Sequence, residues 1–379
     1  VIATNAGDTV AVAWVSSDGG HVQIRVRHID DERDVWSGTV DLGERGGRAP
    51  AVAVSPDGVV WVAWSEATRD GPITRVAHST DTGWVAEPLT GMGDSPGLTD
   101  EPLIAIAGDS RPTIVVRRRR SPDRATIVAR DLGEDDTAVP LTDVPSDVDL
   151  VRLSVTPDGT AVVGWRRTGS NPQIMAAVRP PGGTWRPATS VGSGSATDLA
   201  VAAESGGRAT VVWVARDGGA SALMARDFTG TRWAAASRLD HAAGSDGSER
   251  AGTSLDVGIL PDGIAVIWAA PTSRGAALRT MTKQRLAGWS RPTDVAGPGR
   301  SIGAPSLAVR SGADRTVAWE EVDHNLLRVR TASLGDPATC HDLSPPNTEA
   351  AEVRMVGGGA AMAVYTDRRR GEIMAVDLR

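Results

Sequence analysis

The chain contains one cysteine, one phenylalanine, one tyrosine and one lysine in 379 residues. Cys340 alone cannot close an internal disulfide, so stability must come from packing, and cysteine usage leaves the redox compartment open. With Phe and Tyr so scarce, aromatic filling of a core falls to the 12 tryptophans, against an apolar background that is mostly Val and Ala. No window approaches eighteen consecutive apolar residues and no segment carries a sustained helical stripe, which predicts neither membrane insertion nor a helical bundle. All of the 40 basic residues except Lys283 are arginine, a bias we read as high-GC coding of the actinomycete kind. A net charge of −7 speaks against a surface built to neutralise nucleic-acid phosphates.

What is abundant is punctuation and repetition. With 43 Gly and 23 Pro, apolar segments end every few residues, as short strands do. "SPDGVVWVAW", ending at Trp64, returns as "TPDGTAVVGW" at Trp165 and "LPDGIAVIW" at Trp268. Taking that Trp as a ruler, equivalent positions are Trp14, Trp64, Arg117, Trp165, Trp213, Trp268, Trp319 and Tyr365, spaced 46 to 55 residues apart. A second series, Trp36, Trp84, Trp185, Trp233 and Trp289, follows 20 to 22 residues behind the first, and only Trp61 lies outside both.

Each unit reads as four short antiparallel strands in about 50 residues, the blade of a β-propeller. The expected fold is all-β: one eight-bladed propeller over 1–379, with seven blades as the alternative. Its blades fall near 1–47, 48–98, 99–146, 147–195, 196–249, 250–302, 303–349 and 350–379. The last unit supplies three strands, so its blade is three-stranded or is completed from upstream of Val1; the opening "VIAT" lies inside a repeat, which suggests a larger polypeptide or complex. The ruler tryptophans are expected between blades, filling the wedge that widens with radius.

Function is carried by loops on such a scaffold. The loops between second and third strands vary most, and they concentrate arginine: Arg118, Arg119 and Arg120 in the third blade, Arg166 and Arg167 in the fourth. Acids such as Asp100, Glu101, Asp147 and Asp149 open the neighbouring connections. These arginines are read as a ligand rim gripping carboxylate, sulfate or phosphate, against the alternative of a solvated face laced with ion pairs.

"STDTGW", from Ser79 to Trp84 at the turn before a fourth strand, resembles the Asp-box of sialidase-type bacterial propellers, and the architecture is similar to propeller lectins. Ser79, Asp81 and Gly83 fit that pattern, while Trp84 follows at once instead of after two residues, and the other units keep only fragments. Sialidases of this type use an Arg triad and a Tyr nucleophile; the only tyrosine, Tyr365, occupies a ruler position, which makes it a structural substitute for Trp. No catalytic residue, cofactor or metal ligand set is assigned: the six histidines are scattered, and "SDGSE" from Ser245 offers oxygens that could hold a structural calcium, without a full ligand set.

The function expected from the sequence is therefore lectin-like: a non-catalytic, secreted or cell-surface module recognising a glycan or other polymer. The alternatives are an adaptor docking a protein partner on the same loop face, and a degenerate sialidase-like glycosidase.

Overall fold

The computed structural model describes the chain except residues 6–8, 29–34, 44–45, 90–97, 122–123, 134–137, 143–146, 218–219, 243–253, 273, 286–287, 311–313, 324–325, 335–339, 347, 358–360 and 379. The "SDGSE" stretch falls outside the described residues, as do the side chains of Asp100 and Arg120. All elements found are β-strands, in the topology of an eight-bladed β-propeller. Seven successive blades run antiparallel in the order first to fourth strand, the outermost strand of blade 1 being split into Val35–Trp36 and Val40–Asp41. The long strand Thr293–Val309 closes blade 6 with its first part and opens blade 7 with its second. Blade 8 has three strands, Ala350–Val356, Ala361–Asp367 and Glu372–Leu378. Contacts group the chain into two compact units, one comprising Val1–Ser190 with Ser205–Ala209, the other Val191–Glu204 with Thr210–Arg379.

Local chemistry sets the turns. In "SPDG" the Ser55 N–H bonds to Val59 O at 2.9 Å and the Gly58 N–H to Ser55 O at 3.0 Å, with Gly58 at φ +87°, a region open to glycine. Asp57 accepts from the Ser55 hydroxyl and also from Ser110 of the next blade, at 3.0 Å. Asp158 does the same work in "TPDG", accepting from Thr156 and from the Gly206 N–H at 2.7 Å. These first-to-second-strand turns thus tie neighbouring blades together.

A β-bulge interrupts the first strand in blades 2, 3, 4, 7 and 8. Its first residue is left-handed in four of them: Ala49, Glu101, Leu150 and Glu352, with φ between 49° and 60°. A side chain held there costs about 1 to 3 kcal/mol, so the surrounding structure must enforce it. The bulge sits opposite the ruler residue: Arg48 pairs Ser65 and Ala51 pairs Ala63, leaving Trp64 across from the extra residue, and Trp165, Trp319 and Tyr365 stand likewise.

This register corrects the alignment of blade 3. Asp100 pairs Arg117 and Leu103 pairs Val115, so the residue opposite the bulge is Val116. Arg117 instead matches Ser65, Arg166 and Glu320. The repeat does lose its Trp here, but to valine, one residue earlier than the sequence spacing indicates.

The ruler side chains are buried as expected, from 0% exposure for Trp64 and Trp319 to 3% for Trp213 and Trp268. Each faces the preceding blade: Trp64 packs on Val22 and Ile24, Trp165 on Ile127, Trp268 on Val212, Trp319 on Ile267, Tyr365 on Val329. Trp213 lies so close over Gly192 that a Cβ there would stand 2.7 Å from the ring. Trp14, in the first blade, is only half-buried. Val116 follows the same rule, joining Val76 of blade 2, and there the wedge is filled from the other side by Trp61, stacked on His78 at 4.6 Å. The tryptophan outside both series thus stands at the junction that lacks a ruler Trp.

Candidate functional site

Strand alternation sends neighbouring side chains to opposite faces. The residue after each ruler therefore turns to the following blade: Ser65 Oγ accepts from the Glu101 N–H at 3.2 Å, and Glu320 from the Glu352 N–H at 2.6 Å. Arg117 obeys, its Nη1 donating to Val148 O of blade 4 at 3.2 Å while Nη2 bonds Glu101 at 2.7 Å. It is 9% exposed, a buried guanidinium between two blades.

The same parity sorts the arginine-rich loops. Arg119, two residues beyond Arg117, lies on the face of blade 3 turned to blade 4. Arg167, two beyond Trp165, lies on the face of blade 4 turned to blade 3, and its guanidinium bonds Gln173. Arg167 also pairs in register with Val148, whose carbonyl Arg117 holds. Arg117, Arg119 and Arg167 therefore converge on one seam. Arg118 and Arg166 sit on the outward faces of the pair of blades; Arg166 makes a two-pronged pair with Asp149, Nε to Oδ1 at 2.7 Å. That bond raises the Arg166 pKa above the ordinary range, against the opposing effect of burial.

The loops between second and third strands and the connections between blades share one edge of the sheets. Ala67 N bonds Gly46 O, Thr168 N bonds Asp147 O, Ala269 N bonds Ser254 O and Arg368 N bonds Glu349 O. At this edge of blades 3 and 4, the described side chains include five arginines, Arg117, Arg118, Arg119, Arg166 and Arg167, with three carboxylates, Glu101, Asp147 and Asp149. Such a seam suits planar anions, which match the guanidinium fork. No group of three or more potential metal ligands occurs among the described residues.

Tyr365 is 2% exposed in the core between blades 7 and 8. Burial, reinforced by Asp367, raises its phenol pKa. Both facts fit a packing role and oppose that of a nucleophile.

One feature escapes any sequence reading. Lys283 is 8% exposed, its Nζ 2.8 Å from Asp227, 3.5 Å from Glu204 and 3.1 Å from the Thr210 hydroxyl. Its singularity among arginines is the only signal the sequence offers.

No protein-family model and no curated protein matches the chain. Among solved structures it is similar to a polysaccharide lyase, at 11% identity and a TM-score of 0.53 over 89% of this chain and 88% of that one. It is also similar to a puromycin-hydrolyzing peptidase of Mycobacterium tuberculosis, at 14% identity and a TM-score of 0.51 over 87% of this chain and 53% of that one. This chain thus spans about half the peptidase's length. The NanB sialidase from Streptococcus pneumoniae matches at 11% identity and a TM-score of 0.43, over 98% and 83% of the two chains. At such identities the likeness to the lyase and the peptidase is one of fold.

Proposed function

We propose that this propeller is a recognition module for an acidic polymer, an anionic glycan above all, gripped at the seam of blades 3 and 4. The supporting observation is that strand parity places Arg117, Arg119 and Arg167 on the facing sides of two adjacent sheets, with Arg117 bonded across to Val148 O. Arg117 is fixed by Glu101 and Val148 and shapes the groove, while the half-buried Arg119 and Arg167 meet the ligand. Exported or cell-surface placement fits such a ligand. Binding, not turnover, is the role assigned, and the presence of a polysaccharide lyase among proteins of like fold makes acidic polysaccharides the first ligands to assay.

The test is titration with acidic and neutral polysaccharides, with product release followed in parallel. Wild-type binding should weaken with added salt, since exposed charges are screened over about 8 Å at physiological ionic strength. Replacing Arg119 and Arg167 together with Gln should abolish it with little change in melting. Arg118→Gln, on the opposite face, should leave it intact. Equal losses in both variants, or indifference to salt, would refute the seam; release of cleaved sugar would refute the non-catalytic role.

A further inference from the structure

We infer that the junction of blades 2 and 3 holds a small tetrahedral oxyanion, sulfate or phosphate, at a site separate from the seam of blades 3 and 4. Two rows of polar side chains face each other there. On blade 2, Arg48 pairs Ser65 and Ser65 pairs Thr74, so the three share the face turned to blade 3. On blade 3, Thr99 pairs Arg118 and Arg118 pairs Thr126, on the face turned to blade 2. The rows touch where Thr74 Oγ1 donates to Thr99 Oγ1 at 2.9 Å.

The hydroxyls of these rows leave donors over. Each has one proton to give. Thr74 gives its own to Thr99, whereas Ser65 Oγ is engaged as an acceptor, from the Glu101 N–H. Among the described residues, the protons of Ser65 and Thr99 meet no acceptor, and Thr126 Oγ1 has no partner of either kind. All four hydroxyl side chains are buried, at 1% to 6% exposure. Thr142, next after Leu141, whose N–H bonds Ile127 O, adds a second buried hydroxyl without a partner. Buried polar groups are otherwise nearly all paired, so these unused donors point to a ligand that accepts.

Charge selects an anion over water. Arg118 stands half-buried between Thr99 and Thr126, and Arg48 is exposed at the inner end of its row. The carboxylates beside the rows are engaged elsewhere, Glu101 with Arg117 and Glu66 with Arg75. Val76, Val116 and Val128 make the neighbouring part of the junction apolar. Guanidinium forks and spare hydroxyl donors together match the oxygens of a single oxyanion. Hydroxyls buried this deeply are out of reach of a polymer chain, which sets the ligand apart from that of the neighbouring seam.

The test is melting of the full chain in sodium sulfate against sodium chloride of equal ionic strength, for wild type, Thr126→Val and Arg118→Gln. Sulfate raises the melting point of proteins generally by exclusion from their surface, so the reading is the part of the shift that saturates with concentration. Thr126→Val should melt above wild type in chloride, because it removes an unpaired buried hydroxyl, and should lose the saturating part. Arg118→Gln should weaken sulfate at least tenfold in calorimetric titration. Arg119→Gln with Arg167→Gln should keep the wild-type response, so that this site and the polymer seam stand or fall separately. Dextran sulfate should give no saturating shift; a shift with the polymer alone would assign the site to sulfate esters and overturn the free-ion proposal. A wild-type response without saturation, or the same response in Thr126→Val and Arg118→Gln as in wild type, would overturn it too.

Discussion

Trp319 donates its indole N–H to the carboxylate of Glu321, 3.1 Å away and two residues further along the same strand, in a setting where both side chains are buried. Arg330, across the hairpin, reaches the same carboxylate at 3.4 Å. Blade 2 repeats the three residues at the same spacing, as Trp64, Glu66 and Arg75, with Arg75 bonded to Glu66 at 2.9 Å. Trp319→Phe keeps most of the ring but leaves Glu321 short of a donor, which should cost about 1 to 3 kcal/mol. Trp319→Ala should cost about 3 to 5 kcal/mol, because the wedge empties as well. Denaturant titration of both variants checks the order; a Trp319→Phe variant as stable as the wild type would mean that the hydrogen bond contributes nothing, and equal losses would mean that filling the wedge contributes nothing.

At the junction of blades 2 and 3, Trp61 stands in for the missing ruler Trp. Trp61→Ala should therefore destabilise by about 2 kcal/mol or more, well beyond a surface substitution. An unchanged midpoint would return Trp61 to the surface.

Tyr365 is the only tyrosine, so the phenolate absorbance of the chain reports one group. Its pKa is raised by burial and then by Asp367. Since the neutral form is favoured in the fold, the associated stability is complete below the ordinary value near 10 and declines as pH rises through the raised one. The absorbance step should come above pH 10 and coincide with loss of structure at its upper end. A step at the ordinary value in folded protein would contradict the burial.

The turn aspartates act at the opposite end of the scale. Hydrogen bonding from Ser55 is the largest influence lowering the Asp57 pKa; at Asp158, burial pushes upward but is outweighed by bonds from Thr156, Gly206 and Thr160. Depressed values give stability that is full above about pH 4, the unfolded range, and lost as pH falls through the folded values. Asp158→Asn should flatten the acid limb of a melting-temperature profile while leaving its slope at pH 6 to 8 unchanged. Parallel acid limbs in the two proteins would remove this aspartate from the account.

Lys283 makes the sharpest contrast of side-chain type. Lys283→Met leaves Glu204 and Asp227 without their ammonium, a loss of about 3 to 5 kcal/mol for a broken buried pair. Lys283→Arg should also destabilise, because a planar fork cannot occupy the place of a compact ammonium. Calorimetric melting decides; a neutral arginine variant would show that the site does not select lysine.

The blades were legible from sequence because the ruler Trp recurs with a turn signature in front of it, and aromatic burial leaves a strong periodic trace. The seam of blades 3 and 4 was legible only in part. The arginine runs were visible, but which arginines share a groove depends on strand parity, and a one-residue slip reverses every face. Reading Arg117 as the ruler placed it in the preceding junction, where Val116 belongs; the bulge that resolves the shift has no sequence signature, since Ala49, Glu101, Leu150 and Glu352 share no chemistry. Lys283 and its acids lie far apart in sequence and meet only through packing.

The alternation in the second strand has an evolutionary consequence. From Trp64 onward the ruler side chains reach back, and successors such as Ser65, Arg117 and Glu320 reach forward, so within each unit the joint between one blade and the next is a head-to-tail connection used repeatedly. Duplication of one such segment would carry both halves of the joint with it, and ancestors with fewer or more blades needed no new interface to be invented, only another copy of the old one.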